Sequence, residues 1–478
     1  MAVVGMPNMK TLNGLPLGAA YVSLSLLLSL DAFRSTRQLC PPVIMWRSCR
    51  MWRCGSGRLR LRGGTGGPSL SGASSGSGSG TDTPCRCHRR DDLYEAFDHE
   101  TTQNTTNNFG SVTADTIKPF RESNDAFDDP EELNRRLKEE GYLFFRKLHD
   151  PAKVVQLRRE ITAVLAKGGP VFGRNFLKPG TDPMDGIADL SHRCTEGDVE
   201  YTDTYNEVYK LPAFHRAGHW TETTDMVGKL CGGNVLPHPQ KICRIWFPKY
   251  TAHTTPMHQD YIFFQGSVQT YTMWSPVGEC PLELGPLAVL PGSHKLGRVR
   301  EHHFSLGAGG LALVEDELKQ ELGEENFGWV SGDFKLGDAI IFNAHMVHQA
   351  LPNLTEDRMR ISLDNRSQDI SMPIAEHMLA PHLGGIDWES VYEEWGEKDR
   401  DLMYYWDDLP IYTQPTITKW GDRGFEEALE QAAAGSPQAI FRLSRVVRTA
   451  PDDPQSIRAA AVLEQVAASA ASDQQAKL

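Results

Sequence analysis

Between Lys241 and Asn365 the chain is written in short apolar or alternating runs separated by Gly/Pro turns. Examples are Ile242 to Phe247, Val268 to Trp274, Leu287 to Leu290, Ala339 to Phe342 and Arg360 to Leu363. Many short strands with turn signals predict a sandwich or barrel. The pattern upstream is different. Asp129-Pro130 joins a capping residue to a first-turn proline, so a helix is expected over Glu131 to Glu140, ended by Gly141. Tyr142 to Leu148 then reads as a short apolar strand. Asp150-Pro151 repeats the cap, and Val154, Leu157, Ile161 and Leu165 follow at helical spacing up to Gly168-Gly169. From Gly435 the chain is Ala-rich and helical in pattern, while residues 373–434 mix aromatic and acidic residues and fit no periodicity.

Residues 1–90 do not read as part of a fold. The apolar run Ala19 to Leu28 is short for a membrane span and has the form of a secretory-signal core. Met45 to Arg62 contains no acid and has the composition of an organelle transit segment, and Gly63 to Gly80 is a Gly/Ser linker. The expected organisation is therefore a targeting and linker region (1–90), a loose polar segment (91–128), a β-rich domain with N-terminal helices (129–372), an extension (373–434) and a helical tail (435–478).

Charge and cysteine content narrow the function classes. The formal net charge of −13 hides an asymmetry: residues 1–90 hold 12 Lys/Arg against two acids, and the remainder 37 against 60. So acidic a body is not expected to bind nucleic acid, which is gripped by basic surface. Five of the nine cysteines fall in the first 90 residues, and Cys194, Cys231, Cys243 and Cys280 show no paired spacing, so a reducing compartment is expected for the body. No stable membrane span is predicted.

The candidate chemistry lies in Pro256-Met257-His258-Gln259-Asp260-Tyr261. Side chains two apart on a strand share a face, so His258 and Asp260 can grip one ion. A histidine from a distant strand completes a 2-His-1-carboxylate face, the pattern that leaves coordination positions open on a non-haem Fe(II). His345 and His348, in Phe342 to His348, are both available. Three residues apart on a strand they point to opposite faces, so only one can ligate, and His348 is the one assigned.

Three further segments follow in order: Gly285-Pro286-Leu287-Ala288-Val289-Leu290-Pro291-Gly292-Ser293-His294-Lys295, Gly332 to Phe342, and Arg358-Met359-Arg360-Ile361-Ser362. With the His-Gln-Asp triplet, this ordered set resembles the phytanoyl-CoA dioxygenase family of Fe(II)/2-oxoglutarate oxygenases, over about Tyr142 to Gln368. The resemblance implies a mainly β, α+β fold with a double-stranded β-helix (jelly-roll) core. It implies Fe(II) held by His258, Asp260 and His348, with 2-oxoglutarate as cosubstrate and O₂ as oxidant. It also implies a basic residue shortly after the second histidine to hold the distal carboxylate of 2-oxoglutarate. Arginine suits that role because it binds carboxylates bidentately. Both Arg358 and Arg360 are placed for it, Arg360 slightly favoured, with the Ser362 hydroxyl adding a hydrogen bond. Trp274 matches a family tryptophan lining the cosubstrate pocket, and Lys210 is a weaker match for the same pocket.

The implied activity is hydroxylation of a C–H bond of a small molecule or acyl-CoA ester, with release of succinate and CO₂. The alternatives are a non-catalytic, cupin-like metal-binding protein and a peptide or protein hydroxylase. The final Ala476-Lys477-Leu478 resembles a peroxisomal address. Peroxisomal localisation is expected ahead of a mitochondrion or other organelle reached through the N-terminal segment.

Overall fold

The computed structural model describes residues 117–476, apart from 251–253, 306–309 and 418–420. The leader, the Gly/Ser linker and Lys477-Leu478 of the terminal tripeptide lie outside the described residues.

Local signals start the domain. In α1 (Pro130–Glu140) the Asp129 carboxylate accepts hydrogen bonds from the Glu131 and Glu132 amides, and Gly141 ends the helix at φ 88°. A side chain at Gly141 would collide with the His294 ring, whose Nε2 donates to the Lys138 carbonyl. Thus His294 works as a helix cap. The strand β1 (Tyr142–Phe145) follows, and then α2 (Pro151–Lys167), capped by Asp150 and burying Val154, Leu157, Ile161 and Leu165. Three more helices, α3 (Val199–Tyr209), α4 (Pro212–Ala217) and α5 (Thr221–Cys231), complete the N-terminal layer.

The core is two antiparallel sheets. The larger takes in β1, β2 (Val235–Pro237), β3 (Ile242–Trp246), β5 (Tyr271–Pro276), β9 (Ala339–Asn343) and β11 (Arg360–Asp369). Its order is β1-β9-β5-β11-β2, and β3 also pairs with β11. The smaller is built from β4 (His258–Gln259), β6 (Leu287–Val289) and β10 (Val347–Ala350), in the order β4-β10-β6. Between them they make the jelly roll. Phe144, Ile340, Phe342, Val289 and Trp274 fill one of its apolar cores, each fully buried apolar side chain contributing about 1.5–3 kcal/mol. A separate hairpin pairs β7 (His303–Phe304) with β8 (Leu311–Ala312). Two short helices, α6 (Tyr261–Phe264) and α7 (Glu315–Leu322), lie in the connections between strands.

Two strands differ from the sequence expectation. The run expected from Val268 pairs only from Tyr271, because Gln265 and Gly266 take positive φ and residues 267–270 close a turn on Ser267. The strand beginning at Arg360 runs ten residues, to Asp369, well beyond Leu363. Its second half, Asp364-Asn365-Arg366-Ser367-Gln368, is polar and buried, so hydrophobic patterning does not reveal it.

Residues 373–417 also pack on the core. Trp388 and Tyr392, at the two ends of α8 (Trp388–Tyr392), share an apolar cluster with Trp406, Tyr205, Tyr209 and Phe214. The C-terminal helices are α9 (Asp422–Ala433), α10 (Pro437–Thr449) and α11 (Pro454–Ala476). They enclose a core of their own around Phe425, Leu429, Leu443 and Leu463. The four cysteines among the described residues are free thiols, and no described helix is long and apolar enough to cross a membrane.

Candidate active site

The small sheet sets the two histidines side by side. In the β4–β10 register His348 lies directly opposite His258. Each Nδ1 sits against the carbonyl of the residue two before it, 2.7 Å from Pro256 O and 2.9 Å from Met346 O. A carbonyl only accepts, so Nδ1 carries the proton and donates, and each Nε2 turns an unshared pair toward the same point. Burial, and then the neighbouring His258, push the His348 imidazole down to about 3, which keeps it neutral and free to ligate.

Asp260 joins them by a route that strand alternation does not give. β4 ends at Gln259; Asp260 has helical φ/ψ and its carbonyl accepts from the Phe263 and Phe264 amides. Alternation along a strand therefore does not aim this carboxylate. Two side chains do: Thr272 Oγ1 donates to Oδ2 at 2.5 Å, and Arg366 Nη2 donates to Oδ1 at 3.0 Å. Oδ1 then lies 3.6 Å from His258 Nε2 and 3.8 Å from His348 Nε2. Burial raises the Asp260 carboxyl, but the Arg366 guanidinium outweighs it and holds the group well below the ordinary carboxylate range. The three buried ligand atoms lie within 4.8 Å of one another, the only such group of His, Cys, Asp and Glu side chains among the described residues. Two imidazole nitrogens and an ionised carboxylate fit a ferrous ion with open positions.

The triad opens onto a cavity. Trp274, Leu287, Phe342 and Ala350 form apolar walls, and Arg244, Arg360 and Asp364 supply charge. Arg360 is buried and takes part in no ion pair among the described residues, whereas Arg366 pairs with Asp260 and Arg244 with Asp364. One Arg360 Nη donates to the Gly285 carbonyl, the guanidinium lies 5.2 Å over the Trp246 ring, and Nε is buried without a partner. Gly285 is held at φ 74°, where a Cβ would fall 2.3 Å from the Leu351 carbonyl. Burial lowers the guanidinium to about 10, still a cation at neutral pH. A buried cation with an orphaned donor, at the end of a cavity that begins at the triad, fits the distal carboxylate of 2-oxoglutarate.

The other expected residues fall out as follows. Trp274 is buried and lines the cavity. Ser362 is on the same face of β11 as Arg360 and Asp364, with a buried, unpartnered Oγ. Arg358 does not line the cavity: it lies before the start of β11, bridged to Ile187, with its side chain exposed and its carbonyl accepting from Asn353 and Thr355. Lys210 is also displaced, since it ends α3 and pairs at 2.7 Å with Glu207 away from the cavity lining. His345 stays outside the triad, half-buried against Tyr261. Gln259 is structural, its amide group donating to the Arg298 and His345 carbonyls. Thr272, Arg366, Arg244 and Asp364 were missed from the sequence. Strand alternation would have found three of them: Thr272 is two residues from Trp274, and Asp364 and Arg366 lie at even steps from Arg360.

A 2-His-1-carboxylate triad inside a jelly roll, facing a cavity that ends in a buried arginine, defines a non-haem iron oxygenase. Residues 137–362 match the family model described as phytanoyl-CoA dioxygenase (PhyH). That segment carries the domain of this family, and the protein is a 2-oxoglutarate-dependent dioxygenase that uses Fe(II). It is similar to the 1-deoxypentalenic acid 11-beta-hydroxylases of Streptomyces arenae (26% identical over 286 residues) and Streptomyces exfoliatus (25% over 281 residues). Each match covers 56% of this chain and 91% of the relative. Solved structures similar to it include the epimerase SnoN from nogalamycin biosynthesis (20% identical, TM-score 0.33, covering 62% of this chain and 96% of that one). Another is EctD from S. alaskensis (18% identical, TM-score 0.36, covering 54% and 83%).

Proposed function

We propose that this enzyme hydroxylates a C–H bond of a small organic molecule, converting 2-oxoglutarate and O₂ to succinate and CO₂ as it does so. The observation that carries the reading is Arg360, a buried cation without a carboxylate partner, across the cavity from His258, Asp260 and His348. His258, Asp260 and His348 would hold Fe(II), which when bound supplies the site for O₂ activation coupled to decarboxylation of the 2-oxo acid. The chain's own residues do the rest. Arg360 binds and orients the far carboxylate; Trp274, Leu287 and Phe342 exclude water around the cosubstrate; Arg366 and Thr272 keep Asp260 ionised and aimed. Atoms balance in the transformation: one oxygen of O₂ enters succinate and the other becomes the product hydroxyl.

The hydroxylases related to this chain act, by name, on a small carboxylic acid. An acyl-CoA ester is the second reading, supported by the name of the family. The test is succinate formation by the full chain reconstituted with Fe(II), against a panel of small carboxylic acids and acyl-CoA esters. Stimulation by free acids supports the first reading, and stimulation confined to the thioesters replaces it by the second. No binding of 2-oxoglutarate by the iron-loaded protein would leave only a metal-binding barrel.

A further inference from the structure

The cavity wall is tied to the far C-terminus by a chain of buried charges. Arg244, on β3, reaches the cavity and holds Asp364 of β11 through Nε and Nη2, both 3.0 Å from Oδ2. Its remaining Nη1 lies 3.8 Å from Glu196 Oε2. Glu196 is buried in the turn before α3, and two arginines of α10 converge on its other oxygen: Arg442, in close contact, and Arg445 at 3.1 Å. Arg442 is itself buried. It sits on α10 beside Ala439 and Leu443, which pack into the C-terminal helical core, so this helix has an apolar face for its own bundle and a cationic one for the oxygenase domain. Burying the Arg442 guanidinium is costly unless a carboxylate compensates it, and Glu196 does so. Neither arginine belongs to the segment that matches the family, residues 137–362.

We propose that α10 is a working part of this active site: Arg442 and Arg445 fix Glu196, Glu196 and Asp364 together fix Arg244 at the cavity wall, and the network sets the charge felt by the anionic cosubstrate. Arg244 lines the cavity; Glu196, Arg442 and Arg445 are positioning residues that act through it. Without the α10 cations, Glu196 draws Arg244 from Asp364 and leaves the cavity more negative. Without the Glu196 charge, Arg244 stays on Asp364 and the cavity becomes more positive.

This inference rests on the reading that the cavity takes 2-oxoglutarate, and the test separates the two. The full chain, loaded with Fe(II) and kept free of O₂, is titrated calorimetrically with 2-oxoglutarate. Arg442→Met should weaken binding by roughly three- to tenfold, and Glu196→Gln should tighten it by a similar factor, as expected when a unit charge is removed from a partly buried network. Arg442→Lys should restore most of the wild-type affinity. A purely structural role loosens the wall in both variants and weakens binding in both. The same direction of change in the two, or no change in either, overturns the proposal. Should Arg442→Met fail to fold, Arg445→Met carries the same expectation, since its loss leaves the Arg442–Glu196 contact in place. A wild-type protein that takes up iron but not 2-oxoglutarate removes the cosubstrate reading and this inference with it; a wild type that binds, with variants that do not diverge, removes this inference alone.

Discussion

Two polar clusters lie on opposite faces of β11, and their difference explains which one is a site. On the cavity face Arg360 and Asp364 line the cavity and Arg366 reaches Asp260 of the metal triad. On the other face Asn365 points to Lys241, both of them crowding Gly218, with His215 and His219 nearby. Both clusters are rich in imidazole and cation, but only the first contains carboxylates. At the triad, Nδ1 of each histidine is used by a local carbonyl and Nε2 is presented. In the second cluster His215 spends Nε2 on the Tyr209 carbonyl, and Lys241 Nζ donates to the His238 carbonyl with no acid in ion-pair reach among the described residues. Histidine content alone therefore does not make a metal centre. An ionised carboxylate and free, convergent nitrogens do.

The most severe way to break this contrast is Asp260→Ala. It should cost at least about 100-fold in Fe(II) affinity and abolish 2-oxoglutarate turnover, read by metal titration and succinate release. His215→Asn, in the opposite cluster, should leave metal affinity unchanged and lower thermal stability instead. Next in size is Arg360→Met, expected to raise the Kd for 2-oxoglutarate by about 100-fold with iron affinity intact, as befits removal of a buried charged partner. Arg358→Met should have no such effect, and equal losses from both would restore Arg358 as a candidate anchor. Smaller again is Arg366→Met, which leaves every ligand in place but frees Asp260 Oδ1 on one side; about tenfold weaker iron binding is expected.

Two pH effects sharpen the comparison from the structural side. Burial pushes His149 and His377 down to about 4 and His215 and His238 to about 3, below the usual value of 6.5. Between pH 6.5 and 4 the unfolded chain binds protons there that the folded one refuses, so stability falls as pH drops. Each group contributes up to roughly 1.4 kcal/mol per pH unit, measurable by denaturant titration. Lys241 acts in the alkaline range. Burial lowers it from 10.5 to about 7, so the unfolded chain binds the extra proton between those values, and stability gained from this group rises with pH. Lys241→Met should remove that rise and leave the protein at least as stable at pH 7. An unaltered alkaline profile in this variant would mean that Lys241 is charged in the fold.

Part of this organisation is legible in the amino-acid sequence. Capping residues and apolar spacing mark α1 and α2 nearly to the residue, because those signals are local: Asp129 and Asp150 bind amides two or three residues away. The triad is also legible, as a motif. Its geometry is not, since Asp260 leaves the strand and is aimed by Thr272 and Arg366 from other strands. The arginine choice fails to resolve for a similar reason. Arg358 and Arg360 share a parity, and only the tertiary packing separates an exposed residue bridged to Ile187 from a buried cavity residue.

The sequence by itself determined the residue types on which the chemistry rests, two imidazoles, a carboxylate and an arginine in a fixed order, and the local starts and stops of its first helices. Tertiary structure alone decided which nitrogen of each histidine is free, which arginine lacks a counter-charge, and that α10, outside the family segment, meets Glu196 behind the cavity wall. The physical reason is range. Caps and periodicity act within a turn or two of the chain, whereas charge compensation in a buried site is settled among side chains a hundred or more residues apart.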